Sequence, residues 1–283
     1  MRRVLAFGLF AAGCGPEAIA VARAEAEPAP PVVVPARAHE LRGDPAAAER
    51  EIFAVADAEL AEDLLLGLPG SHGLPVSAQA MGRVPIAEGG HAIGTPEGGT
   101  LEGGVQLPFD PALYTRRDAT RSYATTQTLR TLQAALGRLR SEKGFDAEVI
   151  IGDISLPRGG SFAPHVSHTS GRDIDIRLIL APGLDRTTLP LAPEQVDWDA
   201  TWELVHGFLE TGQVTYVFLD FAQQGQLYRA GERAGMHPRV LDRWFQWPDA
   251  TKDDAIVRHE PGHRAHLHVR LGCAGQGPRC KGA

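Results

Sequence analysis

Residues 171–178 read Gly171-Arg172-Asp173-Ile174-Asp175-Ile176-Arg177-Leu178, and polar and apolar side chains alternate from the first aspartate onward. Successive side chains of a β-strand point to opposite faces of its sheet. A strand here would place Asp173, Asp175 and Arg177 on one face and the apolar side chains on the other. The segment therefore predicts a half-buried strand with an ionisable face.

The same alternation returns near the C-terminal end, where residues 266–271 read His-Leu-His-Val-Arg-Leu. As a strand, this segment would present His266, His268 and Arg270 on one face and its apolar residues to the core. The candidate strands and helices show no regular βαβ alternation. This pattern predicts an α+β fold with a largely antiparallel central sheet flanked by helices.

Four further elements follow from local patterns. Leucines at 129, 132, 136 and 139 share one face of a helix between Asp118 and Arg140. Residues 148–156 predict a buried strand that ends in a turn, residues 202–212 a helix and residues 215–219 a strand. The aromatic run at residues 243–248 fits either core packing or the wall of a binding cleft.

The composition limits the classes of function. The chain has 283 residues, of which 43% are hydrophobic and 22% charged, as expected of a folded protein with a sizeable core. Its net charge of −7 leaves no basic surface for a phosphate backbone, so nucleic acid is not an expected partner. Six of its eleven histidines fall in two short clusters, at positions 165, 168, 259, 263, 266 and 268.

The N-terminus has the pattern of an export signal, with two arginines, a short apolar run and then Gly13-Cys14. The apolar run is too short to span a membrane. Residues 11–14 resemble a lipoprotein cleavage motif, which implies an export signal over residues 1–14 and lipidation of Cys14. The alternative is ordinary cleavage further on, for instance after Ala24. Lipidation would make the protein a periplasmic lipoprotein anchored to the outer membrane.

The chain divides by composition after the signal. Residues 15–75 combine an Ala/Pro-rich tether, which has little apolar surface to bury, with a candidate acidic helix. Residues 76–283 form the predicted globular domain. With Cys14 set aside, Cys273 and Cys280 remain, and in an exported protein they predict one disulfide. A metal site is the alternative for these thiols, but neither belongs to a C-x-x-C pair.

The histidine clusters point to metal chemistry. Catalytic zinc takes three protein ligands, typically imidazole nitrogens and carboxylate oxygens, and keeps one position open for water. The candidates are His168, Asp175 seven residues later, and the His266-x-His268 pair. Asp173 is expected to orient a ligand or to pair with Arg177. The H-E-x-x-H and G-x-S-x-G motifs are absent, which excludes a thermolysin-like site and removes the usual marks of a serine acyl enzyme.

Two blocks carry a family resemblance, namely residues 165–176 and residues 262–273. They resemble the penicillin-insensitive murein endopeptidases, which belong to the wider lysostaphin, D-Ala-D-Ala peptidase and hedgehog group of zinc folds. The resemblance covers roughly residues 90–280. It implies a hedgehog or D-Ala-D-Ala peptidase-like fold.

The resemblance also implies roles for individual residues. His168, Asp175 and His268 would be the ligands of one zinc ion, and His266 the catalytic histidine. His165 is a candidate extra or alternative ligand, and His263 a neighbour that faces the metal shell or the substrate. A second metal is doubtful because residues 180–199 contain no histidine. His259 receives no role.

The implied activity is hydrolysis of peptide cross-links in peptidoglycan, at the bond from D-alanine to meso-diaminopimelate, by a metal-activated water. Arg172, Arg177 and Arg270 are candidate partners for the substrate carboxylates. Two alternatives stay open: a D,D-carboxypeptidase or dipeptidase on the same scaffold, and a non-catalytic, zinc-stabilised cell-wall binding module. Neither the oligomeric state nor a regulatory partner follows from the sequence.

Overall fold

The computed structural model describes residues 84–282. The predicted export signal (1–14) with Cys14 and the predicted tether and acidic helix (15–75) lie outside the described residues, so these assignments stay predictions. The predicted domain over residues 76–283 is described from residue 84 to residue 282. Within that range no helix is both long and apolar enough to cross a bilayer.

Ten strands and four α-helices follow one another along the described residues. In chain order they are β1 (His91–Ile93), β2 (Thr100–Glu102), β3 (Val105–Gln106), β4 (Thr115–Arg116), β5 (Tyr123–Ala124), α1 (Thr126–Ser141), β6 (Ile150–Ile151), β7 (Asp173–Arg177), α2 (Trp198–Glu210), β8 (Val214–Phe218), α3 (Phe221–Arg233), α4 (Pro238–Trp244), β9 (Val257–Arg258) and β10 (His266–Leu271).

A six-stranded sheet with the order β4-β6-β7-β10-β8-β9 forms the centre of the fold. The inner pairs β6/β7, β7/β10 and β10/β8 are antiparallel, and the outer pairs β4/β6 and β8/β9 are parallel. Two further sheets, β1/β2 and β3/β5, each consist of two short antiparallel strands. The prediction of an α+β fold with a largely antiparallel sheet is confirmed, whereas the finer hedgehog-like likeness stays a prediction.

The apolar face of the central strands lies in the core. Ile174 and Ile176 of β7 and Leu267, Val269 and Leu271 of β10 have no measurable exposure. Burying one such side chain contributes about 2 kcal/mol. Since one face of both strands is committed to the core, the other face carries every ionisable residue of the two strands.

Helix α1 belongs to the same core, as its leucine spacing predicts. All four leucines, at 129, 132, 136 and 139, are fully buried. The helix begins where the Thr125 side chain accepts a hydrogen bond from the backbone N–H of Thr128, which caps the first turn. Helix α2 packs along α1 and begins in the same way, with Asp197 accepting from Ala200.

One predicted strand is shorter than expected, and helix α3 was not predicted. The strand predicted over residues 148–156 is only Ile150–Ile151, because the chain after it turns to place Asp153 beside other side chains. Helix α3 has no clear apolar stripe, since its buried side includes Gly225 and Gly231. A Cβ on Gly225 would lie 3.0 Å from the Trp247 ring, and one on Gly231 would lie 2.8 Å from Leu241. The helix is therefore held by close approach rather than by large apolar side chains.

Candidate metal centre

Strands β7 and β10 bring the two ionisable faces together in one register. His268 lies opposite Asp175, and Arg270 lies opposite Asp173. His266 lies opposite Arg177 in the same ladder. Opposed residues of an antiparallel pair have Cβ atoms about 5 Å apart, so these pairs lie side by side on one face of the sheet. The sequence prediction of two adjacent ionisable faces is confirmed.

His168 reaches this face from the loop that precedes β7. Its backbone adopts a φ of 66°, unusual for a residue other than glycine, and its backbone N–H donates to Asp173 Oδ2 over 2.9 Å. Its ring is fully buried, with Nδ1 donating to the carbonyl of Ile154 over 2.9 Å. Because a carbonyl can only accept, Nδ1 carries a proton, and Nε2 is the ring nitrogen left to bind a metal. That nitrogen lies 3.3 Å from Asp175 Oδ1.

Asp175 is the centre of the cluster. One donor atom each from His165, His168 and Asp175 lie within 4.8 Å of one another, which is close enough to hold a metal ion. Two further imidazoles face the same carboxylate oxygen: His268 Nδ1 is 3.4 Å and His266 Nε2 is 3.9 Å from Asp175 Oδ1. The structure thus brings together all of the predicted ligands and the predicted catalytic histidine. It also makes His165 a member of the donor cluster and not only a neighbour of it.

Two donor atoms of this cluster lack a hydrogen-bond partner. Among the described residues, His168 Nε2 and Asp175 Oδ1 are sealed from solvent and make no hydrogen bond. An unsatisfied buried polar atom costs about 1 to 3 kcal/mol, and more when it is charged. A cation between these atoms would satisfy both. Imidazole and carboxylate are also the donors that zinc takes, so the residues present fit a metal of that kind.

Asp173 supports the cluster from behind. Its Oδ1 lies 3.0 Å from His268 Nε2 and accepts from Arg270 Nε over 2.8 Å. Arg270 in turn donates to Glu97 Oε1 over 2.6 Å. Asp173 therefore contacts the ring of His268 and, through its other oxygen, accepts a hydrogen bond from the backbone of His168. Its ionic partner is Arg270 and not Arg177, so the predicted pairing with Arg177 is wrong, and the orienting role stays a prediction.

Asp153 supports the other side of the cluster, a role that was not predicted. It follows the short strand β6 and accepts from His165 Nε2 over 2.7 Å. The guanidinium groups of Arg117 and Arg121 each approach its carboxylate to 2.6 Å. The available signal was its position, directly after a buried strand at the turn Gly152-Asp153.

Charges in the cluster shift the pKa values of its members. Burial alone would raise the pKa of Asp153, but His165, Arg117 and Arg121 hold it well below the usual range. Burial is likewise outweighed at Asp175, whose pKa is lowered by His168 and other imidazoles. Burial lowers the pKa of His266 to about 4, although Asp175 opposes the shift. At neutral pH the carboxylates are therefore ionised and His266 is neutral, so its ring can accept a proton.

The cluster forms the floor of a cleft of about 310 Å³. His263 lines it, with its ring centre 4.8 Å from that of His266 and its Nδ1 donating to the carbonyl of Pro261. The exposed side chain of Val166 forms part of the rim. Two carboxylates, Glu97 and Glu260, also face the cleft, and no motif in the sequence marked them.

Comparison with known proteins shows what this chain is similar to. The family model described as penicillin-insensitive murein endopeptidase matches residues 92–206. A protein of that name from Yersinia enterocolitica is 28% identical over 215 residues, covering 69% of this chain and 71% of the relative. Proteins of that name from Klebsiella pneumoniae (strain 342) and Escherichia coli O1:K1 are each 28% identical over 214 residues, covering 70% of this chain and 72% of the relative. The chain is therefore similar to the penicillin-insensitive murein endopeptidases, both in residues 92–206 and over about 70% of its length.

The match to the family model and to these relatives confirms the family resemblance on which the site prediction rests. The matched range contains His165, His168, Asp173 and Asp175 and ends before strand β10. The histidines of β10 join the cluster of His165, His168 and Asp175 through the β7/β10 register. The assignment of individual ligands remains a proposal.

The remaining residues singled out in the sequence take part in the fold and not in the cleft. His259 Nδ1 accepts from the backbone N–H of Phe221 at the start of α3, and His259 does not line the cleft. Arg172 is fully buried and donates to the carbonyls of Leu271, Lys281 and Gly282, so it cannot bind substrate as the sequence suggested. Of the aromatic run, Phe245 is fully buried and both tryptophans pack against the core. None of the three lines the cleft, so the core-packing interpretation holds and the cleft-wall alternative is wrong.

Cys273 and Cys280 form the predicted disulfide. The loop that they close lies against the backbone of Gly94, which donates to the carbonyl of Arg279 and accepts from the N–H of Lys281. Since Gly94 begins the loop that carries Glu97, the disulfide loop supports one wall of the cleft.

Proposed function

We propose that this chain is a zinc-dependent endopeptidase that hydrolyses peptide cross-links of peptidoglycan, at the bond from D-alanine to meso-diaminopimelate. The observation that carries the proposal is the pair of sealed, unpartnered donors, His168 Nε2 and Asp175 Oδ1, on the floor of an open cleft. The relatives of this family are named murein endopeptidases, and murein is peptidoglycan. A peptide cross-link is a substrate that this combination suits.

His168, Asp175 and His268 would hold one zinc ion, and the cleft would leave its remaining position open to water and substrate. His165 is the alternative or additional ligand, because its ring belongs to the same donor cluster. A bound zinc ion supplies Lewis acidity, which lowers the pKa of a water molecule to about 7 and polarises a carbonyl group.

His266 would move the proton. Its ring faces the cleft beside Asp175 and is neutral at pH 7, because burial lowers its pKa to about 4. A neutral imidazole can accept the proton of the attacking water and return it to the leaving amine. His263 lies beside it in the cleft wall and would face either this histidine or the substrate.

The compartment follows from residues outside the described range. We propose export through the signal at residues 1–14 and an anchor in the outer membrane through a lipid on Cys14. The tether over residues 15–75 would let the domain reach the peptidoglycan layer from that anchor. Both steps place the enzyme in the periplasm with its substrate.

The test is product analysis with purified, zinc-loaded protein. Cross-linked muropeptide dimers should be converted to monomers, a chelator should stop the conversion, and added zinc should restore it. His266→Ala should lower kcat by about 10²- to 10⁴-fold with zinc still bound at about one ion per chain. His91→Ala, which changes an exposed histidine on β1, is the matched control and should leave the rate unchanged.

Other products would identify the alternatives. Release of free D-alanine from monomeric pentapeptide would mark a carboxypeptidase. If zinc-loaded protein leaves dimers intact while parent and His266→Ala bind sacculi equally well, the chain is a binding module and the proposed activity is wrong.

A further inference from the structure

Three arginines were candidates for binding the carboxylates of a peptide substrate, and the structure separates them. The guanidinium of Arg172 donates its hydrogen bonds to backbone carbonyls in the core. Arg270 is committed to Asp173 and Glu97. Arg177 has no carboxylate within ion-pair distance among the described residues. Arg177 is therefore the candidate that remains available to a ligand.

Arg177 is a buried charge with a single backbone partner. Only 8% of the residue is exposed, and the one side-chain hydrogen bond that it makes among the described residues goes to the carbonyl of Arg186. The carboxylate that influences it most, Glu148, is held by Arg186 at 3.0 Å and by the Thr115 hydroxyl at 2.8 Å. A guanidinium has five N–H donors, and a buried charge without a counter-charge is costly. An anionic ligand would offset that cost.

Arg177 lies where its charge can meet a substrate in the cleft. It lines the cleft, and none of its nitrogens is both sealed and unbonded, so its remaining donors are open to the cleft. It lies directly opposite His266 in the β7/β10 ladder. A group that binds next to Arg177 therefore lies next to the histidine proposed to protonate the leaving amine.

We infer that Arg177 forms a carboxylate-binding subsite on the leaving-amine side of the cleft, so that the enzyme prefers bonds whose amine-side carbon carries a free carboxylate. This inference rests on the proposed function, because it assumes that a peptide lies across the metal cluster. The amine-side carbon of the D-alanyl to diaminopimelate bond carries such a carboxylate. A planar guanidinium binds a carboxylate through two parallel N–H donors, which an amide in the same place cannot accept equally well.

The test measures binding and not turnover. The full chain with His266→Ala, loaded with zinc, serves as the parent, since it should hold a dimer without cleaving it. Two fluorescent muropeptide dimers serve as probes, one with the free carboxylate beside the bond and one with a carboxamide in its place. Fluorescence anisotropy gives Kd for each. The parent should bind the carboxylate probe about tenfold or more tightly than the carboxamide probe.

Adding Arg177→Gln should remove this preference while the Kd for the carboxamide probe stays nearly unchanged. Arg177→Lys should keep part of the preference, because a point charge replaces the two-pronged contact. Adding Arg130→Gln, which changes a half-exposed arginine of α1, is the matched control and should behave as the parent does. Zinc content and circular dichroism check each variant. If Arg177→Gln does not fold, Arg177→Lys decides: a reduced preference supports the inference and an unchanged preference overturns it.

Equal binding of both probes by the parent, no binding of either, or an unchanged preference in Arg177→Gln would overturn the inference. The two proposals fail separately. Wild-type protein that cleaves carboxylate and carboxamide dimers equally supports the proposed function and refutes the subsite. If the protein cleaves neither dimer but its binding preference depends on Arg177, the subsite is supported and the proposed function is refuted.

Discussion

Arg270 and Asp173 lie directly opposite each other on strands β10 and β7, and Arg270 Nε donates to Asp173 Oδ1 over 2.8 Å. The same carboxylate contacts the ring of His268 and the backbone N–H of His168. One ion pair in the sheet thus holds two of the three proposed zinc ligands. Groups that orient metal ligands from behind commonly change metal affinity by 10- to 100-fold when they are removed.

Asp173→Asn should therefore weaken zinc binding by about 10- to 100-fold, because an amide neither neutralises Arg270 nor orients the ring of His268 as a carboxylate does. The measurement is competition with a chromogenic chelator at pH 7. Asp199→Asn, which changes an exposed partner of Arg233, is the control and should leave the affinity unchanged. Equal affinities for wild type and Asp173→Asn would show that the carboxylate has no part in holding the metal.

His168 and His165 should differ in what their loss does to zinc binding. His168 is fully buried, and its Nε2 has no other partner, so its donor has no role without a metal. His165 is partly exposed and keeps a hydrogen bond to Asp153 in any case. His168→Ala should abolish stoichiometric zinc binding, whereas His165→Ala should retain about one ion per chain with affinity lowered about tenfold.

Metal content by elemental analysis after dialysis against a weak chelator distinguishes these two outcomes. His237→Ala, at the exposed start of α4, controls for the loss of a surface histidine. If His165→Ala emptied the site as completely as His168→Ala, His165 would belong among the principal ligands and the proposed set would have to change.

The two central strands could be predicted from the sequence because their signal is local. Period-two alternation in residues 171–178 and 266–271 assigns each side chain to a face, and the burial of Ile174, Ile176, Leu267 and Val269 fixes the same assignment in the structure. The leucine spacing of α1 is local in the same sense. The polar face that carries the cluster follows from these patterns without knowledge of any neighbour.

Other parts of the site depend on contacts between distant segments and had no local signal. Asp153 meets His165 only because a loop returns across the end of β6, and Glu97 meets Arg270 across 173 positions of the chain. The parallel edge strands β4 and β9 contain two residues each, too few to show a period. Among three arginines of equal standing in the sequence, only their hydrogen-bond partners separate Arg177 from the others.

Asp153 predicts how stability depends on pH. Its folded pKa lies below its unfolded value of about 3.9, because His165 and two arginines outweigh the effect of burial. Such a group contributes stability that is fully present above pH 4 and is lost as the pH falls toward the folded pKa. Asp153→Asn should therefore be less stable than wild type at pH 7, and the difference should narrow as the pH falls from about 4 to 3.

Thermal unfolding of metal-free protein, followed by circular dichroism between pH 7 and pH 3, tests this dependence. Glu142→Gln, which changes an exposed partner of Arg138, should alter stability by less than about 1 kcal/mol at every pH. A Tm difference between wild type and Asp153→Asn that stays constant from pH 7 to pH 3 would contradict the assigned pKa shift.

The Cys273–Cys280 disulfide should stabilise the fold and one wall of the cleft together. A bridge between residues seven apart lowers the conformational entropy of the unfolded chain, which stabilises the folded state by about 2 to 3 kcal/mol. Its loop is also tied to the fold by Arg172, which donates to the carbonyl of Lys281, and by Gly94, which begins the loop of Glu97.

The double variant Cys273→Ser/Cys280→Ser should lose about that much free energy of unfolding in urea. A phosphine reductant should destabilise metal-free wild type to the same extent and leave the double variant unchanged, because the variant has no bond to reduce. If the reductant lowered the stability of both proteins equally, its action would lie elsewhere and the disulfide would have no measurable part in holding the cleft wall.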